Sequence, residues 1–385
     1  MRILMISDVY FPRINGVSTS IKTFREELTQ LGHEVTLIAP VYPDHTETDP
    51  EIIRIPSRYL FLDPEDRIMK RKMISALKDK LSGRQFDILH IQTPFIAHYA
   101  GIELSNTLGI PRVVTYHTHF EEYLYHYLPY VPKSLMRFSA RWFNRKQCND
   151  VDSIIVPSTA MLDILETYGI HKPIEIIATG IDEKFFTPGD GIRFRKKYNI
   201  KQDRPLLVHI GRVAHEKNID FLLNMLVELR KTIPDVLLVI AGEGPARNHL
   251  MQLCKTLNIE NNVLFVGYLD RETSLLDCYC AGDVFVFASK TETQGLVLLE
   301  AMAQRIPVVS LSVLGTKDIL DAEKGVIVAK EDVSDFATKV SKLLSTPELH
   351  KQLANEAYDY ARSWSSRAFA EKKQNFYQKT IQLAQ

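Results

Sequence analysis

The sequence predicts an α/β protein built from two doubly wound parallel sheets in series. Short apolar runs rich in valine and isoleucine alternate with longer stretches of helical period along the chain. Those runs are apolar at nearly every position, the mark of strands covered on both faces by helices. A chain of 385 residues is also roughly two to three times the usual domain length, enough for two separate cores.

The first sheet is read from RILMIS, HEVTLIA, DILHI, RVVTYH, SIIVPS and IEIIAT, all before residue 180. The second is read from LLVHIG, VLLVIAG, VLFVGY, VFVFAS, PVVSLS and GVIVA, all after residue 205. Between them Gly180, Pro188, Gly189 and Gly191 interrupt the periodicity while charge rises, which reads as a hinge. The expected organisation is a first domain over 1–185, a second over 186–365, and a helical tail over 366–385.

Composition limits the function classes. Lys+Arg and Asp+Glu are both 47, which argues against a protein whose main work is coating nucleic acid. At 45% hydrophobic and 24% charged residues the chain is ordinary globular material, not disordered. Cys148, Cys254, Cys278 and Cys280 show no zinc spacing and no CxxC pair, so they read as reduced structural thiols of a cytoplasmic protein. No signal peptide and no run of about 18 apolar residues is seen, so the expectation is a chain that does not span a bilayer.

In sheets of this kind ligands bind beyond the carboxyl ends of the strands. There HIGRVAHEKNID places Gly211, Arg212 and Lys217 between a strand and a helix. A guanidinium and an ammonium near a helix N-terminus suit a diphosphate, though taken alone a solvated basic loop explains them as well. Gly242 and Gly244 form a GxG without a third glycine, a weak dinucleotide signal that a tight turn also accounts for.

Glu292 and Glu300 are eight positions apart. On one helix they would project roughly 80° apart, so Glu292 is assigned to the loop after VFVFAS and Glu300 to a helix beginning at Gly295 and Leu296. Glu300 is then placed to accept ribose hydroxyls, and Glu292, with the amides near Gly295, to grip sugar hydroxyls. Two acids and two cations together fit a nucleotide sugar.

This constellation resembles the retaining glycosyltransferases of family 4, whose pattern of Glu, seven residues, Glu is matched by Glu292 and Glu300. The family's Gly-Arg with a lysine five positions on is matched by Gly211, Arg212 and Lys217. The resemblance implies the GT-B fold, two Rossmann-like domains facing across a cleft, with the last helix returning to the first domain. It implies that Arg212 and Lys217 hold the diphosphate, Glu300 the ribose and Glu292 the donor sugar. In the first domain PRINGVSTS looks like the family's glycine loop, with Gly16 near phosphate and sugar, and His117 of TYHTHF looks like its active-site histidine. Departures surround the sugar: Asn15 stands at a common glycine position, Thr293 and Gln294 replace a small residue and a phenylalanine, and GTKD at 315–318 replaces Gly-Gly-x-x-Glu.

His117, Glu292, Arg212 and Lys217 are the expected catalytic set. Arg212, Lys217 and helix amides would neutralise the leaving diphosphate, with no metal and no tightly bound cofactor required. His117 and His119 alternate along a strand end but lack a third ligand at a recognisable spacing, so no metal site is assigned.

For the acceptor, YVPKSLMRFSARWFNRKQ puts Lys133, Arg137, Arg141 and Arg145 on one helical stripe, with Leu135, Met136, Phe138, Trp142 and Phe143 opposite. Such a helix suits an anionic membrane surface, although a domain helix with solvated charges has the same pattern. TYHTHFEEYLYHYLP and TETQGLVLLEAMA look like stretches of bacterial diacylglycerol glucosyltransferases and plant sulfolipid enzymes. The resemblance thus implies a hexosyltransferase carrying glucose from a UDP-sugar to a membrane lipid, peripherally bound at the inner face of the membrane. The alternatives are a transferase for a soluble acceptor and a UDP-sugar epimerase of the same fold.

Overall fold

The computed structural model describes residues 1–43, 45–60, 63–117 and 133–385, without the side chains of 60, 63–66 and 133–138. The chain forms two units, Met1–Gly180 with Ser366–Gln385, and Ile181–Ser365.

In the first unit, strands β1 (Arg2–Ile6), β2 (Glu34–Pro40), β3 (Ile52–Ile55), β6 (Ile88–Ile91), β7 (Arg112–Thr115), β8 (Ser153–Val156) and β9 (Ile174–Ile176) form one sheet. Its order is β3-β2-β1-β6-β7-β8-β9, and every pairing is parallel. β4 (Ser57–Leu60) and β5 (Asp63–Met69) make a separate antiparallel hairpin. In β1 successive side chains enter opposite layers: Leu4 and Ile6 join one apolar cluster, Ile3 and Met5 the other. Both faces are dry, so alternation disappears from the sequence.

The second unit carries β10 (Leu206–Ile210), β11 (Leu237–Ala241), β12 (Val263–Gly267), β13 (Val284–Phe287), β14 (Val308–Leu311) and β15 (Val326–Ala329), ordered β12-β11-β10-β13-β14-β15 and again parallel. Leu206, Val208 and Ile210 face one core and Leu207 the other. Both sheets reverse direction beside their first strand, between β1 and β6 and between β10 and β13. That is the Rossmann order, and its switch point is where such sheets bind ligands.

All twelve strands read from the sequence are present. β3 and the hairpin were missed. β3 is four residues long with an arginine in it, and β5 reads DPEDRIM, without an apolar period.

Of the segment expected to be a hinge, Gly180 stands where the first unit ends, while Gly189 and Gly191 are docked on the second unit. A Cβ on Gly189 would lie 2.3 Å from the Leu276 carbonyl group, and one on Gly191 2.3 Å from the Cys280 oxygen, both backbone atoms that cannot yield. Asp190 donates its amide to Asp277 at 2.7 Å, and Arg193 grips the same carboxylate from Nε and Nη2 at 2.7 and 2.8 Å. Gly189 and Gly191 thus serve close packing. The chain passes between units at Gly180 and again at Ser365, and the Ile181 amide donates to the Trp364 carbonyl at 2.7 Å.

The helix Ser366–Ala384 belongs to the first unit, where Ala370, Phe376 and Tyr377 pack with Ile3, Met5 and Phe24. Cys148, Cys254 and Cys278 are buried and all four thiols are free. Among the described residues no helix is long and apolar enough to cross a membrane.

Candidate functional site

At the switch point of the second unit, two loops leave neighbouring strands. After β10 the chain runs through Gly211 and Arg212 into a short 3-10 turn, His215–Lys217. It then swings into the helix Ile219–Leu229 through Asn218, whose φ of 56° is a conformation asparagine tolerates. The Asn218 side-chain amide donates to the Ala288 carbonyl at 3.1 Å, tying this loop to the exit of β13. Across that tie Lys217 Nζ donates to Glu292 Oε1 at 2.5 Å, both groups mostly buried. Arg212 lies 3.7 Å from the Glu216 carboxylate. The two motifs read separately in the sequence therefore meet.

Two glycine positions are compelled by this construction. Gly242 has φ 137°, and a Cβ there would sit 1.9 Å from the Gly211 carbonyl oxygen; Gly244 would meet the Val213 oxygen at 2.4 Å. The GxG lets the β11 exit hydrogen-bond alongside the Arg212 loop, with the Gly211 amide on the Ala241 oxygen at 3.0 Å and that of Val213 on Glu243 at 2.9 Å. It buttresses the cation loop and is no dinucleotide fingerprint. On the other side Gly315 donates its amide to the Glu292 carbonyl at 3.0 Å, so close that a Cβ would fall 1.9 Å from the Thr293 oxygen. The departure GTKD thus keeps the one glycine that clamps the Glu292 loop.

Gly295, φ 92°, opens the helix Leu296–Ala303. Leu296 packs on the core beside it. Glu300 is only 1% exposed, and both its oxygens are engaged: Arg271 binds Oε1 and the Tyr279 hydroxyl donates to Oε2 at 2.9 Å. Burial opposes the charge on Arg271, but Glu300 outweighs it and raises the guanidinium pKa. Glu300 is not the open carboxylate the sequence suggested; a ribose would have to share it with Arg271. Neither Arg271 nor Tyr279 was found from the sequence, because LDRETS and DCYCAG carry no motif. His209 was missed as well. It lies buried in β10, stacked on Phe287, its Nδ1 donating to the Val286 carbonyl at 3.1 Å, and burial lowers its pKa to about 4.

In the first unit Asn15, not a glycine, caps the helix Gly16–Gln30. Its side chain accepts from the Ser18 amide at 2.8 Å while the Ser18 hydroxyl receives the Asn15 amide at 2.9 Å. Gly16 follows with nothing within 4 Å of an added Cβ, so no internal contact demands glycine. At the switch point, Asp8 follows β1 and accepts from the Thr93 hydroxyl at 2.8 Å and from the Ala97 amide at 3.1 Å. Phe95 cannot cap the helix Ile96–Leu108, and Asp8 does so from the exit of the neighbouring strand β1. Burial raises the Asp8 pKa to about 6 despite these bonds.

His117 follows β7, and its Nε2 donates to the Gln92 side-chain oxygen at 3.1 Å. Burial first, and the Lys373 ammonium second, hold its pKa near 3, so the ring is neutral with Nδ1 an acceptor. His117 also lines a small pocket with Gln92, Thr115, Tyr116 and Gln147. Lys373, from the last helix, is itself buried, with its ammonium over the Phe24 ring and its pKa well depressed by burial. His119 lies outside the described residues, as do the side chains of Lys133 and Arg137.

The helix Lys133–Asn149 exposes Arg141, Trp142, Arg145 and Lys146 together, Trp142 at 61%. The aromatic stripe expected opposite the basic one is therefore wrong for Trp142. Adjacent positions lie about 100° apart, which leaves it among the cations, with Lys146 5.6 Å from its ring centre. Among the described residues the buried side is mixed, with Asn144 and Gln147 beside Ala140 and Cys148.

Family models agree with this architecture. Residues 14–185 match the model described as Glycosyltransferase Family 4 and residues 191–360 that described as Glycosyl transferases group 1. An α-monoglucosyldiacylglycerol synthase of Streptococcus pneumoniae is 36% identical over 80% of this chain and 71% of its own length. One of Acholeplasma laidlawii is 28% identical over 98% and 96%. A GDP-mannose-dependent α-mannosyltransferase of Mycobacterium tuberculosis is 27% identical over 83% and 81%. Among solved structures, Anabaena HepE in complex with UDP and glucose superposes with a TM-score of 0.79 at 15% identity, covering 98% of this chain and all of that one. At that identity the likeness speaks for the fold, which is GT-B.

Proposed function

Because the chain belongs to the family 4 glycosyltransferases, we propose that it moves a hexose, glucose before others, from a UDP-sugar to the hydroxyl of a membrane lipid such as diacylglycerol, with retention at the anomeric carbon. The observation that carries the donor half is the meeting of Lys217 and Glu292 at the switch point of the second sheet. A diphosphate there gains two cations, Arg212 and Lys217, inside a mostly buried loop where charge is screened weakly. Glu292 holds the ammonium in place and offers its second oxygen to sugar hydroxyls. In the transfer the bond from the anomeric carbon to the diphosphate breaks and one to the lipid oxygen forms. The lipid hydroxyl's proton passes to the departing phosphate, so no protein nucleophile is assigned.

The acceptor half is supported by what the two glucosyltransferase relatives are named for and by the exposed Arg141, Trp142, Arg145 and Lys146 face. We place the enzyme peripherally at the inner face of the membrane on the same grounds. Each basic side chain near an anionic surface adds about 1 kcal/mol, so Arg141→Glu with Arg145→Glu should release the protein from anionic liposomes. The mannosyltransferase relative favours a second donor, GDP-mannose.

The deciding experiment incubates the protein with UDP-glucose, UDP-galactose or GDP-mannose, with diacylglycerol liposomes or a soluble sugar. The expected result is UDP release that depends on diacylglycerol, with an α-linked glycolipid product. Turnover only with a soluble acceptor overturns the lipid reading, and interconversion of the donor without any acceptor overturns transfer itself.

A further inference from the structure

Beside the Lys217 loop, three side chains from three elements converge. His215 lies in the 3-10 turn two residues before Lys217, Asp220 in the first turn of the helix Ile219–Leu229, and His249 in the helix Arg247–Thr256. One ligand atom from each lies within 4.8 Å of the other two. His249 Nε2 and Asp220 Oδ1 are 2.5 Å apart, and the rings of His215 and His249 are 5.3 Å apart between centres.

We propose that His215, Asp220 and His249 form a binding site for a divalent transition-metal ion, and that its occupancy fastens the Lys217 loop to the two helices. Two imidazoles and one carboxylate are a donor set suited to zinc, with water in the fourth position. A tetrahedral ion with bonds of about 2 Å holds its ligand atoms about 3.3 Å apart. The present spacing reaches that by small side-chain rotations, since His215 and His249 are exposed and Asp220 half-buried.

The local fold suits the role. Asn218, in its left-handed conformation, turns the chain so that His215 and Asp220 approach each other across five positions. Glu216 between them reaches Arg212, and Lys217 reaches Glu292. An ion at this site would therefore join the segment bearing both proposed phosphate-binding cations to the body of the unit at a further point, through His215, in addition to the Asn218 bond to Ala288 and the Val213 bonds to Glu243 and Ala246. Without it, the backbone bonds of Val213 to Glu243 and Ala246 and the Asp220–His249 pair hold that side of the loop, and none of them engages His215.

Equilibrium dialysis against Zn²⁺ tests the site without any sugar or nucleotide, so its failure is separate from failure of the transfer reading. Wild type should retain one ion more than each of His215→Gln, Asp220→Asn and His249→Gln. His215 and His249 are exposed and Asp220 half-buried, and circular dichroism checks that the variants fold. Hydrogen exchange of residues 212–218 should slow with Zn²⁺ in wild type and not in His249→Gln. Equal stoichiometry in wild type and variants, which leaves an ordinary His–Asp hydrogen bond, overturns the proposal. Loop exchange unaffected by a bound ion overturns it too.

Discussion

The two sheets share one strand order, yet their switch points are furnished in opposite ways. In the second unit the exits of β10 and β13 bring together full charges, Lys217 with Glu292, and Glu300 behind them holds Arg271. In the first unit the corresponding exits of β1 and β6 bring together Asp8 and Thr93, where burial drives the carboxyl toward its neutral form. His117 nearby is neutral, and Lys373 is pushed the same way. One scaffold therefore supports two electrostatic regimes: charges kept by pairing, and charges suppressed by burial. A phosphate suits the first regime, and neutral hydroxyl chemistry suits the second.

The contrast is broken most severely at Glu300. Glu300→Ala leaves the half-buried Arg271 without its carboxylate, and urea unfolding should show a loss of up to about 3 kcal/mol; a loss under about 1 kcal/mol would mean that Arg271 escapes to water. Lys217→Ala comes next but should act on rate. Turnover is expected to fall by about 10²- to 10³-fold, while stability should fall by less than in Glu300→Ala, since Lys217 and Glu292 keep about a fifth of their surface exposed and Glu300 almost none. Wild-type turnover in that variant removes the diphosphate role.

Asp8 sharpens the other side. Its native pKa, about 6, exceeds the ordinary 3.8, so the native state binds more protons between those values, and this group's contribution to stability is lost as pH rises from about 4 to 6. The loss is at most about 3 kcal/mol. Denaturation followed against pH should show a component in that window that Asp8→Asn lacks. Smallest is the pair of glycines. Gly242→Ala should cost more than about 1 kcal/mol, because its Cβ meets a backbone oxygen at positive φ. Gly16→Ala, facing open space, should move the melting curve by less than about 0.5 kcal/mol, so any fall in its kcat/KM reports on substrate.

Most of this architecture was legible because strands buried on both faces advertise themselves as unbroken apolar runs. The β10 and β13 exits were legible because Arg212, Lys217, Glu292 and Glu300 are charged residues at fixed spacing next to such runs. What the sequence hid depends on distant partners. Nothing in LDRETS says that Arg271 will lie against Glu300, and nothing in MISDVY says that Asp8 will cap a helix starting near residue 96. The same blindness hid the tight packing of Gly189 and Gly191, since local composition cannot distinguish a flexible glycine from one pressed against a helix backbone. Trp142 was placed opposite the basic stripe because charges and aromatics in an amphipathic pattern suggest separate faces, yet it is exposed among the cations, and the described buried side holds Ala140, Asn144, Gln147 and Cys148.

The last helix, through Ala370, Phe376 and Tyr377, completes a layer begun by Ile3 and Met5. On the ribosome those partners are separated by the whole of Ile181–Ser365, which has every strand of its own sheet before Ser366 emerges. The half that is synthesised first must therefore wait, with one apolar flank uncovered, while the later half can mature, so the order of synthesis and the order of completion run in opposite directions.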